Sequence, residues 1–114
     1  MHHSPVVLFA FWESFLLDLL SRTSKFRKDL RFTLTQRIDN TALDVMELLI
    51  EARWQKDKKR QLELISTYID KLRILLRLAV RLGALDKGGY EHLIRGLDEA
   101  GRMVGGWIKQ QGRK

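Results

Sequence analysis

Apolar residues along the chain recur at three- and four-residue steps in four separate stretches, and that spacing predicts four amphipathic helices. The first, over residues 5–21, carries Phe9, Trp12, Leu16 and Leu19 on one face. Ser4 is placed to cap it, Pro5 suits the first helical position, and Ser21-Arg22-Thr23-Ser24 interrupts it. The second, over 33–54, opens on Thr33-Leu34-Thr35-Gln36, which has the spacing of a capping box, and repeats Leu34, Ile38, Val45, Leu49 and Ala52. The third, over 58–82, is the clearest: Leu62, Ile65, Ile69, Leu72, Leu76 and Ala79 form a heptad seam. Gly83 stands where its C-terminal cap belongs, and Asp86 can cap the next helix. That fourth helix, over 87–110, carries Tyr90, Ile94, Leu97, Gly101, Val104 and Ile108. Short connections and the lack of a Pro/Gly/Ser linker predict one all-α domain, residues 1–114, folded as an antiparallel up-down four-helix bundle.

Two features exceed what a bundle core needs. Leu75, Leu78 and Leu82 lie far round the third helix from its seam, so either the chain covers both sides of that helix or these leucines meet another subunit. A four-helix bundle has no truly central helix, which favours a homo-oligomer. Gly96, Gly101, Gly105 and Gly106 all fall within the fourth helix, where each interior glycine costs about 0.8–1 kcal/mol against alanine. Gly101 and Gly105 share a face, so close packing against another backbone, with Trp107 filling the space beside Gly106, offsets the loss. A kink or a frayed end is the alternative.

Composition narrows the chemistry. The 114 residues are enough for one core, and the absence of cysteine excludes disulfides, thiolate metal sites and a cysteine nucleophile. The apolar run from Val6 to Leu20 contains Glu13 and Asp18 and lacks a basic leader, so it reads as neither a signal peptide nor a membrane span, and the default location is cytoplasmic. The formal charge of +7 directs attention to polyanions. It is unevenly placed. Residues 22–37 hold six basic and one acidic side chain, and residues 56–82 hold eight and three; between them, residues 38–55 hold one and four.

On the third helix Arg73, Arg77 and Arg81 form a ridge at four-residue spacing with no acidic residue four positions before any of them. Such a ridge suits phosphate, which each guanidinium can grip with two hydrogen bonds; a solvated face, or salt bridges to Glu47, Glu51 or another helix, is the alternative. The other cluster, Lys25, Arg27, Lys28 and Arg31, lies on the connection before the second helix. Phe26 and Phe32 within it read as core anchors rather than as platforms for bases. No metalloprotease, nucleophile-elbow, Walker or dinucleotide pattern occurs, and Asp98-Glu99, being adjacent, cannot work as a carboxylate pair. The expectation is a non-enzyme with no catalytic residues, cofactor or metal.

Several segments together resemble a known family. Arg31-Phe32-Thr33-Leu34-Thr35-Gln36-Arg37-Ile38 and Leu48-Leu49-Ile50-Glu51-Ala52-Arg53 resemble the second helix of accessory variability determinant (Avd) proteins of diversity-generating retroelements. Leu72-Arg73-Ile74-Leu75-Leu76-Arg77-Leu78-Ala79 is similar to their third helix; Tyr90-Glu91-His92 and Gly101-Arg102-Met103-Val104-Gly105-Gly106-Trp107 are similar to their fourth. The resemblance runs from Phe26 to Lys109, within a wider four-helix-bundle family that includes proteins encoded in ribosomal-RNA intervening sequences. It implies a basic bundle that assembles into a homopentameric barrel, binds the reverse transcriptase and nucleic acid (template RNA or cDNA), and supports mutagenic retrohoming in a bacterium or phage. Arg31, Arg37, Arg73, Arg77 and Arg102 match family positions. The chain departs where Phe26-Arg27 replaces a frequent Phe-Pro and where Leu34-Thr35 replaces a frequent Leu-Gly. A helical protein–protein scaffold without a nucleic-acid role is the second reading.

Overall fold

In the computed structural model, residues 5–112 are described, and among them every regular element is helical. Helix α1 spans Pro5–Thr23; a 3-10 turn (Lys28–Leu30) and a π-helical turn (Arg31–Thr35) run directly into α2 (Gln36–Trp54); α3 spans Lys59–Arg81 and α4 spans Lys87–Gln111. Each helix packs on two others in a closed order, α1 and α3 each lying between α2 and α4. Partners run antiparallel: Phe15 lies beside Gly96 and Asp18 beside His92 where α1 meets α4, and Arg73 faces Asp98 where α3 meets α4. The result is a four-helix bundle measuring 48 × 24 × 20 Å. No helix among the described residues is long and apolar enough to cross a membrane.

The heptad seam of α3 is buried at all six positions, and α2 buries Ile38, Val45, Leu49 and Ala52 with Thr41 and Ala42 beside them. On α1 the inward face is Leu8, Trp12, Phe15, Leu16 and Leu19, with Phe9 only partly covered. Trp12 donates its indole N–H to the Ala42 carbonyl at 3.0 Å, which satisfies the one polar atom of that buried ring. Helix α4 is rotated from the expected stripe. It buries Leu93, Leu97, Ala100, Met103, Val104 and Trp107, leaving Tyr90, Ile94 and Ile108 half-covered. The two stripes share Leu97 and Val104, so spacing alone does not separate them. Burying Leu93, Met103 and Trp107 removes more apolar area from water than burying Tyr90, Gly101 and Ile108, and that difference sets the rotation.

Helix ends follow the sequence at two places and depart at a third. Gly83, at φ 76°, closes α3: its N–H donates to the Val80 carbonyl and that of Ala84 to the Ala79 carbonyl, both at 2.9 Å, the paired bonds of a Schellman motif. Asp86 caps α4 by accepting the Gly89 N–H at 2.6 Å. The capping box at Thr33 does not form. The backbone is already helical upstream, Thr35 sits at φ −59°, ψ −49°, and no side chain caps the start of α2. Ser4 lies outside the described residues.

The glycines of α4 act differently from expectation. A Cβ on Gly105 would meet nothing within 4 Å, and one on Gly101 would meet only the Arg73 guanidinium at 3.4 Å, so this pair approaches no other backbone within the chain. The close approach is at Gly96, where a Cβ would lie 2.7 Å from the buried ring of Phe15, itself 4.7 Å from the Trp12 ring centroid. Trp107 is buried as expected of a large ring beside small residues. Gly96→Ala should therefore lower stability, because overpacking costs about 1–3 kcal/mol and outweighs a propensity gain of about 1 kcal/mol. Gly105→Ala should raise it by about 1 kcal/mol. Urea midpoints of the two variants moving in the same direction would contradict this placement.

Candidate nucleic-acid interface

The two basic segments, separated by an acidic one in sequence, meet at one end of the bundle. Arg27 makes the junction. Its backbone, at φ −62° and ψ 152°, adopts the angles proline prefers, so arginine in place of proline leaves the connection's path unchanged. What arginine adds is a tether: Nη1 donates to the Leu82 carbonyl at 2.6 Å and Nε to Asp29 at 2.8 Å. The last carbonyls of a helix lack intrahelical donors, so Leu82 is a ready acceptor at the end of α3.

Around this tether Lys25, Lys28 and Arg31 are exposed on the connection, and Arg81 and Arg77 are exposed on the last turns of α3. None of these five has an ion-pair partner among the described residues. Arg81 lies where the helix dipole favours a cation, which offsets part of its repulsion with Arg77. Arg37, exposed on the first turn of α2, borders two shallow grooves, one with Phe32, Gln36 and Asn40 and one with Lys71, Ile74 and Leu75. Phe32 corrects the sequence reading. It is 80% exposed, whereas Phe26 packs against the core. Leu30 and Leu34 take the inward positions, and Phe32, two residues from each, points away from them.

The arginine ridge divides in two. Arg73 hydrogen-bonds Asp98 on α4 and lies 3.7 Å from Asp70, so it is neutralised, contrary to the expectation of a bare ridge. Asp70 is three residues before Arg73, a helical neighbour as close as the fourth, and Asp98 is brought opposite by the α3–α4 hairpin. Arg102 pairs with Glu99, whose hydrogen bond and charge raise the guanidinium pKa. Asp98 and Glu99 thus each hold a different arginine. Among the described residues, only Arg77 and Arg81 remain of the α3 ridge as unpaired cations.

The second face of α3 is only partly covered by the described residues. Leu75 is half-buried against the core, but Leu78 is 45% and Leu82 40% exposed, and Ile74, which the sequence reading passed over, is 53% exposed. Elsewhere polar contacts serve the fold. His92 Nε2 is 2.9 Å from Asp18, which also accepts from Arg22, while Thr23 donates to Asp39 at 2.7 Å. Burial pushes the Asp39 carboxyl above its ordinary value, against the opposing pull of the Thr23 hydroxyl.

A closed ring of four antiparallel helices, with unpaired cations anchored at one end by an arginine–carbonyl bond, defines a basic four-helix bundle. Compared with known families, residues 8–111 match the bAvd-like family, and the chain belongs to it. The match takes in α1, on which the sequence resemblance did not draw. No curated protein matches the chain.

The division of the ridge has a measurable consequence. Arg73→Met should lose about 0.5–1 kcal/mol, the range of a partly exposed ion pair, while Arg77→Met and Arg81→Met should change stability by no more than a few tenths. Urea denaturation distinguishes them, and equal losses at all three positions would contradict the division.

Proposed function

We propose that this protein is a non-catalytic accessory factor of a diversity-generating retroelement, which binds the element's reverse transcriptase and its template RNA or cDNA and so supports mutagenic retrohoming. Membership of the bAvd-like family supports the accessory role. The observation that carries the nucleic-acid part is the convergence of Lys25, Lys28, Arg31, Arg77 and Arg81 at one end, with Arg27 holding the two segments together. Cations without acidic partners keep their full attraction for phosphate, and each phosphate they neutralise releases counterions. Arg37 extends this surface along α2. Arg73 and Arg102 contribute less, because Asp98 and Glu99 already hold them.

Self-assembly belongs to the same reading. Ile74, Leu78 and Leu82, with Leu75 at their edge, form an apolar strip on α3 that a second copy of the chain would remove from water. A pentamer, the state the resemblance implies, would repeat the basic end and the chain's +7 charge five times around one axis.

Co-purification with a candidate reverse transcriptase and its template RNA, with the mass of the accessory protein measured by light scattering, tests the reading. The parent should be an oligomer, and Leu78→Glu with Leu82→Glu should reduce it to monomers. Arg77→Ala with Arg81→Ala should weaken RNA retention and lower the slope of log affinity against log salt by about 1.4 for a single strand. RNA binding that ignores salt would overturn the nucleic-acid role and leave a protein scaffold, and a double variant that binds like the parent would remove this end of the bundle from that role.

A further inference from the structure

The opposite end of the bundle is also basic, and it carries an aromatic ring that the core does not take in. Trp54, the last residue of α2, is 78% exposed, whereas Trp12 and Trp107 are buried. The Arg53 guanidinium lies over its ring, 5.5 Å from the centroid. The chain then turns through residues 55–58 into α3, and Arg53, Lys56, Lys59 and Arg60 are exposed around this turn, with Lys58 half-exposed. No ion pair among the described residues engages any of these five cations. Asp57 instead accepts the Lys59 backbone N–H at 3.0 Å, and Lys58 donates to the Gln55 carbonyl. The end of α4 runs alongside, leaving an open cleft of about 540 Å³ lined by Lys56, Asp57, Lys59, Ile108, Gln111 and Gly112, in which the two lysines outnumber the one carboxylate.

The Arg53–Trp54 contact and the two hydrogen bonds tie the turn locally, but they account for neither the exposed indole nor the unpaired lysines. A tryptophan left in water forfeits its burial energy, and cations in the first turn of α3 face the positive end of the helix dipole. A face meant only for solubility needs charge and no indole. An acidic peptide would engage the lysines and leave the ring in water. A duplex would offer phosphates while keeping the faces of its bases stacked inside. A single strand offers both, since any unpaired base can stack on an exposed ring while the flanking phosphates meet the cations.

We infer that this end is a second nucleic-acid site, for single-stranded RNA or DNA, with a base stacked on Trp54 and adjoining phosphates held by Arg53, Lys56 and Lys59. The inference shares with the proposed function only the class of ligand. It uses different residues, at the far end of a 48 Å bundle from Arg77 and Arg81.

Fluorescence titration of the full chain tests it, because Trp54 is the exposed indole. The probes are an oligo(U) of about ten nucleotides and an abasic strand of equal length, both at about 50 mM salt. Oligo(U) should quench the indole emission and the abasic strand should not. Trp54→Ala should weaken oligo(U) binding by about 5- to 100-fold and leave the abasic strand's affinity unchanged, while Trp54→Phe should retain most of it. The Arg77→Ala, Arg81→Ala variant should still show quenching. If Trp54→Ala binds oligo(U) like the parent while the arginine variant loses it, the inference fails and the proposed function stands. If Trp54→Ala keeps RNA but loses the polymerase, the ring is a protein contact and the inference is overturned. A parent that binds neither strand overturns both.

Discussion

Leu62, Ile65, Ile69, Leu72, Leu76 and Ala79 occupy the interior of the bundle, and their burial fixes the rotation of α3 about its own axis. Every other position on that helix then has its direction decided. Arg73 is turned toward α4 and meets Asp98; Arg77 and Arg81 are turned to solvent; Ile74, Leu78 and Leu82 form a strip that the described residues cover only in part. Rotating α3 to bury the second leucine face would turn the six-residue seam out to water, at a larger loss of buried apolar area than the strip could return. The seam thus separates one helix into a structural side, a charged side and an exposed apolar side.

Charge follows from the same geometry. The sequence alternates acidic and basic segments, and antiparallel folding brings the connection before α2 to the end of α3, leaving the acidic stretch of α2 along the flank. Arg27 locks that arrangement with a hydrogen bond to the Leu82 carbonyl, at a position whose backbone would accept proline equally well. Arginine there gives up a rigid ring for a contact across 55 residues of chain. The cost of gathering like charges is lessened because Arg81 faces the negative end of a helix dipole.

How much of this was legible beforehand depended on whether a feature is local. The α3 seam, the Gly83 turn and the Asp86 cap were readable because spacing and turn chemistry are properties of neighbouring residues. The rotation of α4 was not, since two overlapping stripes share Leu97 and Val104 and only total buried area chooses between them. The fate of Arg73 was half legible: Asp70 stood three residues away, but Asp98 required the hairpin. Phe32 was misjudged because aromatic character argues for the core, while the helical turn that points it outward is set by Leu30 and Leu34 on either side. The close approach at Gly96 depends on Phe15 from another helix, which no spacing within α4 reveals.

The proposed function requires nucleic acid to meet the basic ends of the bundle and to avoid the flank of α1 and α2, where Glu13, Asp44 and Glu47 are exposed. Photochemical cross-linking of bound RNA followed by peptide mapping measures this directly. Cross-links within residues 25–37 and 77–87 are the predicted outcome, joined by the turn after Trp54. Cross-links concentrated on the α1–α2 flank, or spread evenly over all four helices, would contradict it.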